Sequence, residues 1–284
     1  MLIDPNKCVA CANCIPVCPM GAIYVDPATN RSTINRDECV ECGTCSRMSG
    51  EHLNPTMVRT VRKLAKIFRF RFEPEPDVCP TSAFVVDELE WPRIVRRVFS
   101  DPIVEHVSTG IKGRGTEEVK TNDVAHRVDI GEVGYVLEFG RPGVGVRFHE
   151  IQSVTMALAE QGVTFEAKNP ITHLMVDQSR GTLKEDLLQE KILSAIVEIK
   201  TSVEMVPTVL DTVMRVGKQI DTVIAIGIST RCDENGQDRV LAPLLDDLGY
   251  SFVRAKTNMG LGRVTNVQPR EKEVVSDQHA ASVR

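Results

Sequence analysis

The chain has 284 residues, which is enough for a small domain plus one or two others of ordinary size. Hydrophobic residues make up 42% and charged residues 26%, and the formal net charge is -5, which argues against a disordered chain and against a nucleic-acid partner. No run of about 18 apolar residues is present, and the N-terminus lacks the charged lead and apolar core of an export signal, so we expect a cytoplasmic protein without a membrane span.

Eight of the nine cysteines fall in a repeated pattern. The run from Cys8 to Pro19 has the spacing C-x2-C-x2-C-x3-C-P, the run from Cys39 to Cys45 repeats its first part, and Cys79-Pro80 follows after a gap. In this spacing three thiolates from a tight loop bind one cubane, while the fourth reaches across to a second. The pattern therefore predicts two [4Fe-4S] clusters, one bound by Cys8, Cys11, Cys14 and Cys79 and the other by Cys18, Cys39, Cys42 and Cys45.

Zinc sites and disulfides explain these cysteines less well. A zinc site uses two C-x2-C pairs separated by about 12 to 20 residues, which does not account for three cysteines at x2 spacing followed by Cys-Pro. Disulfides suit small secreted chains, and no secretory signal precedes Cys8. The ninth cysteine, Cys232, is interpreted as a packed free thiol because the sequence offers it no partner base.

Residues 1 to about 54, together with 77 to 87, resemble a bacterial two-cluster ferredoxin. A strand-like run from Gly21 to Asp26 follows the first Cys-Pro, and a second from Thr81 to Asp87 follows Cys79-Pro80. The resemblance implies a domain at 1–90 that carries electrons through its clusters. The chain departs from the family pattern in one place, an insertion at 46–78 between Cys45 and Cys79.

The insertion is predicted to hold an amphipathic helix. Asn54-Pro55 is a cap followed by a first-turn proline, and Val58, Val61 and Phe68 fall at helical spacing. The other side is basic and carries no acid; its charged residues are Arg59, Arg62, Lys63, Lys66 and Arg69. This face is either simply solvated or, within the basic segment 59–71, a docking site for an acidic redox partner or an anion site beside the clusters.

A glycine-rich loop runs from Thr109 to Asp123 in the next segment. Glycines let the backbone approach an anion closely, and neighbouring cations supply the charge to bind it. The candidate residues for a phosphate, flavin or substrate are Lys112, Gly113, Arg114, Gly115 and Lys120. The loop matches neither the G-x-x-x-x-G-K-[ST] nor the G-x-G-x-x-G motif, so a structural turn stays open as the alternative.

The rest of the chain is predicted to be α+β. Strand-helix-strand patterns appear twice, first over Val133 to Phe165 and then over Ala195 to Ile228. The turn Gly140-Arg141-Pro142-Gly143 is similar to that of small regulatory ACT domains, which share the ferredoxin-like βαββαβ plan. We therefore expect one or two ferredoxin-like or ACT-like sandwich units, divided as 91–178 and 179–267, with a tail at 268–284.

The combination of segments resembles the ferredoxin-type part of the 6-hydroxynicotinate reductase family, on residues 8–45, 79–80 and 109–123. That resemblance implies an anaerobic reduction of an N-heteroaromatic ring, with a flavin on further polypeptide and a partner subunit. We expect an electron-transfer component of an oxidoreductase, working in an oligomer or complex with a redox partner or flavoprotein. The alternatives are a ligand-sensing regulator with an ACT-like domain, or structural clusters attached to an enzyme in the second half.

Overall fold

The computed structural model describes residues 1–47, 49, 53–70, 78–106 and 127–253. The predicted anion loop, with its five candidate residues between 112 and 120, and the predicted tail at 268–284 lie outside the described residues. In chain order, the elements of the N-terminal half are β1 (Leu2–Ile3), β2 (Ile23–Asp26), β3 (Arg31–Ile34), α1 (Thr44–Arg47), α2 (Pro55–Ile67), β4 (Phe84–Val85) and α3 (Ile94–Ser100).

The cysteine-rich segment consists of two similar halves. Strands β1 and β2 flank the first cysteine loop, and β3 and β4 flank the second in the same way. Strand β1 pairs antiparallel with β4, and β2 pairs antiparallel with β3. Each two-stranded ribbon thus joins the start of one half to the end of the other, which brings the last cysteine of each motif to the opposite half.

The chain enters and leaves the insertion between the second cysteine loop and Cys79 at neighbouring positions in the structure. Ser49 forms a parallel bridge with Cys79, and the Leu53 N–H donates to the Pro80 carbonyl at 3.0 Å. Between these points α2 begins as predicted, with the Asn54 side chain accepting hydrogen bonds from the backbone N–H groups of residues 56 and 57. The insertion therefore leaves the position of Cys79 undisturbed.

The second half contains the main sheet of the molecule. Its elements are β5 (Glu132–Phe139), β6 (Val146–Arg147), α4 (Phe148–Ala159), β7 (Thr164–Phe165), β8 (Met175–Asp177), β9 (Thr182–Leu183), β10 (Lys191–Ile192), β11 (Ala195–Ser202), α5 (Val206–Gly217), β12 (Ile224–Thr230) and α6 (Leu241–Asp247). Four strands form an antiparallel sheet in the order β12-β5-β11-β7. With α4 and α5 between them, these strands follow the ferredoxin-like βαββαβ plan.

One face of this sheet packs on α4 and α5. Alternate side chains of β5, including the fully buried Tyr135 and Leu137, join those of the two helices in one apolar core, as the two-residue period of a strand dictates. Strand β11 pairs with β5 and β7 from before residue 178, so the predicted division into two units at 178/179 is wrong. Neither residues 91–178 nor residues 179–267 contain a complete sheet. The strands of each segment form their backbone hydrogen bonds with strands of the other.

Helix α3 joins the two halves. Arg96 on this helix is 3% exposed and donates to the carbonyls of Asp37 at 2.7 Å and Cys39 at 3.0 Å, while its guanidinium also pairs with Glu190. Further ion pairs cross the same boundary: Arg47–Asp101 at 2.8 Å, Arg147–Asp37 at 2.7 Å and Lys191–Glu38. The second cysteine loop therefore lies against the βαββαβ unit. Among the described helices, none is long and apolar enough to cross a membrane.

Candidate metal centres

Four of the predicted ligands line one cavity, which we call centre 1. Cys8, Cys11 and Cys14 come from the loop after β1, and Cys79 comes from the chain just before β4. Apolar side chains such as Val9 and Phe84 complete the wall. Because β1 and β4 are hydrogen-bonded neighbours, the fourth cysteine reaches the first loop although it is distant in sequence.

The other four line a second cavity, centre 2. Cys39, Cys42 and Cys45 belong to the second cysteine loop, and Cys18 comes from the end of the first motif. The pairing of β2 with β3 places Cys18 there, since Cys18 precedes β2 and Cys39 follows β3. The structure thus groups the eight cysteines into the two sets that the spacing predicts. All nine cysteines of the chain, including Cys232, are free thiols.

The two cysteine loops have matching backbone conformations. Ala10 and Ala12 in the first loop have φ values of 57° and 63°, and Glu41 and Gly43 at the equivalent places in the second have 57° and 70°. A left-handed residue with a side chain costs about 1 kcal/mol or more, so its recurrence at matched positions reflects a conformation that the loop demands. Such turns direct successive backbone N–H groups towards one point, as in anion-binding sites.

The fourth cysteine of each set accepts a backbone hydrogen bond. The Ala22 N–H donates to Cys18 Sγ at 3.3 Å, and the Ala83 N–H donates to Cys79 Sγ at 3.2 Å. Both alanines lie four residues after their cysteine, in a Cys-Pro-x-x-Ala turn. Hydrogen bonds of this kind stabilise a thiolate and are one of the means by which proteins set iron-sulfur potentials.

Burial acts on these thiols in the opposite direction. Desolvation raises the pKa of Cys14 to about 11 and, together with the neighbouring thiolates, that of Cys45 to about 12; it also raises the pKa of Cys11 and Cys39. Thiols in such an environment become thiolates at neutral pH when a bound metal supplies the compensating charge. No three Cys, His, Asp or Glu side chains in the described ranges are grouped around a single metal-ion position. Each of the two cavities is lined by four cysteines.

Arginines of α2 lie over centre 1. Arg59 Nη2 donates to the Cys8 carbonyl at 3.1 Å, and Arg62 Nη1 donates to the Val9 carbonyl. Neither guanidinium has a carboxylate partner in the part of the chain that the structure describes. Among the described residues, no ion pair therefore neutralises their positive charge next to the first cysteine loop.

Cations at centre 2 are balanced by carboxylates. Glu41, between Cys39 and Cys42, is 1% exposed and accepts from the Met1 ammonium and from Arg93, each at 2.7 Å. Burial by itself raises the pKa of Glu41, but these two hydrogen bonds outweigh it and hold the pKa below the usual range. No sequence motif predicts a role for this acid; its local signal is a charged residue inside a C-x2-C pair.

The N-terminal part of the chain is similar to known iron-sulfur proteins. The family described as 4Fe-4S dicluster domain matches residues 1–48. Ferredoxin-1 of Rhodobacter capsulatus is 43% identical over 58 residues, which are 20% of this chain and 77% of that ferredoxin. A polyferredoxin-like subunit of an aliphatic sulfonate oxidoreductase from Pyrococcus furiosus is 37% identical over 43 residues, covering 14% of this chain and 25% of that protein. No solved structure matches the chain.

Proposed function

Because the chain belongs to the ferredoxins through its N-terminal iron-sulfur segment, we propose that it is the electron-transfer subunit of an oxidoreductase. The observation that carries the proposal is the sorting of eight cysteines into two four-sulfur cavities. In this proposal Cys8, Cys11, Cys14 and Cys79 hold one [4Fe-4S] cluster, and Cys18, Cys39, Cys42 and Cys45 hold the other. When bound, the clusters supply one-electron redox chemistry.

In this function, the residues around each cavity exclude water from the sulfurs and stabilise negative charge on them. Apolar walls, with Val9 at centre 1 and Val40 at centre 2 both almost fully buried, exclude water from the sulfurs. The N–H groups of Ala22 and Ala83 stabilise negative charge on Cys18 and Cys79. Both effects act on the reduction potential, which depends on burial, hydrogen bonding and local charge.

The substrate in this proposal is an N-heteroaromatic ring, reduced with electrons that pass to a flavin on a partner subunit. Support comes from the resemblance to the ferredoxin-type part of the 6-hydroxynicotinate reductase family. The match to a polyferredoxin-like subunit supports the view that a segment of this kind works within a larger oxidoreductase. The proposal includes a cytoplasmic location and an anaerobic setting; the need to protect reduced clusters from oxygen supports the anaerobic setting.

Anaerobic purification with iron and sulfide analysis and EPR of the dithionite-reduced protein tests the ligand sets. We expect about eight irons per chain, reduced to roughly half in Cys11→Ser and in Cys42→Ser, with a different EPR signal lost in each. Cys232→Ser is the matched control and keeps both signals, because Cys232 lines neither cavity. Little iron in protein never exposed to air, or loss of the same signal in both variants, contradicts the proposal.

A second candidate function is ligand sensing by an ACT-like βαββαβ unit. The turn that resembles ACT domains packs on centre 2: a Cβ added at Gly143 would lie 3.2 Å from the Pro19 carbonyl oxygen, and one at Gly145 would lie 2.6 Å from Met20 Cε. A ligand that moves this turn would therefore perturb centre 2 directly. If the unit senses a ligand, an added small molecule should change the EPR signal of centre 2 and leave that of centre 1 unchanged. An EPR signal of centre 2 that is the same with and without every molecule tried would contradict this second function.

A further inference from the structure

Helix α2 presents an apolar stripe to solvent. The stripe consists of Met57, Val61, Leu64 and Phe68, which are between 45% and 69% exposed. Their spacing of i, i+4, i+7 and i+11 puts them on one side of the helix. Ile67 and Phe70 beside them are also exposed. Of the apolar residues at helical spacing in the sequence, Val58 is buried, whereas Val61 and Phe68 are exposed.

The helix is held to the molecule through its other side. Val58, at 2%, is the one buried residue of α2. Arg59 and Arg62 reach the backbone carbonyls of the first cysteine loop, as described above. The arginines therefore set the rotation of the helix about its axis, and this rotation turns the apolar stripe outwards.

We propose that the stripe is the docking surface for a redox partner protein whose contact face is apolar and flanked by carboxylates. The inference rests on the proposed electron-transfer function. Exposed apolar residues at this spacing are the anchors by which a helix fits a hydrophobic groove. The charge requirement comes from Lys63, Lys66 and Arg69, which are exposed on other sides of the same segment, 55–69, and this segment contains no acid. Such a surface attracts and orients an acidic partner and repels a basic one.

The position of the stripe fits electron transfer. The helix lies on the first cysteine loop, with Arg62 spanning the gap between α2 and the backbone of Val9. Cys11, two residues further along, is only partly buried. A protein docked on the outer side of α2 is thus separated from the first cysteine loop by the width of one helix, about 10 Å, whereas centre 2 is covered by the βαββαβ unit.

Two other occupants fit the observations less well. A lipid surface would attract a helix whose cations flank the apolar side and reach headgroups. Here Arg59 and Arg62 are turned towards the cysteine loop. Lys63 and Lys66 fall on the side of the helix away from the stripe. The net charge of -5 also opposes approach to an anionic membrane. A second copy of this chain would have to bring an acidic, apolar face to the same stripe, and it would place no new redox group beside centre 1.

Site-specific photocrosslinking identifies the occupant. The full-length protein, with Leu64→p-benzoylphenylalanine, is irradiated anaerobically in cells that produce it natively, and the same substitution at Val176, 65% exposed on β8, is the control. We expect residue 64, and not residue 176, to be linked to a flavin- or iron-sulfur-containing protein through a peptide rich in Asp or Glu. Crosslinks to a second copy, to this chain's own residues or to lipid, or none above the control, overturn the inference.

Electron-transfer kinetics with the crosslinked partner complete the test. Leu64→Glu places an unpaired charge at the centre of the contact, so we expect electron transfer to the purified partner to slow at least about tenfold, with unchanged EPR signals. Val176→Glu should match the wild type. Equal electron-transfer rates for the wild type, Leu64→Glu and Val176→Glu would contradict the docking surface but not the proposed electron-transfer function. A partner that binds at residue 64 but receives no electrons from the wild-type protein instead contradicts the proposed function.

Discussion

Arg59 and Arg62 distinguish the two metal centres at the scale of single residues. Both donate to carbonyls of the first cysteine loop, and neither is paired with a carboxylate where the structure describes the chain. At centre 2 the nearby cations have acidic partners, such as Glu41 for Arg93 and Glu190 for Arg96. An unpaired positive charge favours the reduced, more negative state of a cluster, so centre 1 is expected to have the higher reduction potential.

Arg62→Gln tests this difference. Removing one partly screened charge near centre 1 changes the electrostatic energy of the reduced state by about 1 kcal/mol, or about 40 mV for a one-electron couple. We expect the midpoint potential of centre 1 to fall by about that amount in an EPR-monitored redox titration, while that of centre 2 stays constant. Lys66→Gln removes an equal charge from an exposed side chain one helical turn further along, where solvent screens it more, and should shift centre 1 less. An equal shift for both variants, or a shift of centre 2, would refute the argument.

Helix α2 shows, at the scale of the element, that a helix can be predicted from the sequence while the side that contacts the molecule is set by distant residues. Its start follows from local chemistry, because the Asn54 side chain satisfies two N–H groups that have no partner within the helix. Its orientation follows from long-range contacts, since two arginines find carbonyl partners about 50 residues away in the chain.

The N-cap of α2 offers a test at this scale. Asn54→Ala leaves the N–H groups of Thr56 and Met57 without their acceptor and should destabilise the helix by about 1 kcal/mol. Native-state hydrogen exchange should become faster in α2 and remain unchanged in α4. Asn54→Asp is the matched control, because its carboxylate still accepts both hydrogen bonds. Unchanged protection of α2 in the alanine variant would show that the cap contributes nothing.

At the scale of the whole molecule, α3 and the ion pairs around it hold the cysteine-rich segment against the βαββαβ unit. Arg96 is the central contact, since it is buried and binds Glu190 as well as the carbonyls of Arg36, Asp37 and Cys39. A buried pair of this kind depends on both partners, because removal of one leaves an uncompensated buried charge.

Arg96→Met should therefore lower the stability of the joined molecule by about 3 kcal/mol. The measurement is anaerobic thermal unfolding of the iron-loaded protein, followed both by cluster absorbance and by far-UV circular dichroism. We expect a lower midpoint by both probes. Arg97→Met, on the same helix but half-buried with a single long hydrogen bond to the Asp87 carbonyl, is the control and should behave like the wild type. Equal midpoints for the two variants would contradict the role given to Arg96.

The sequence by itself determined the two sets of cysteines, the start of α2 and the type of most elements in the second half. These features depend on short spacings, caps and periodicity, which act between residues close together in the chain. Only the tertiary structure decided that the two strand-helix-strand segments share one sheet, that the apolar side of α2 faces solvent, and that centre 2 lies against the second half. Each of these depends on pairing between distant residues, as in the contacts of β11 with β5, Arg62 with Val9 and Arg96 with Cys39. Backbone carbonyls and strand edges are common to all sequences, so no local pattern reveals which of them a distant arginine or strand will bind.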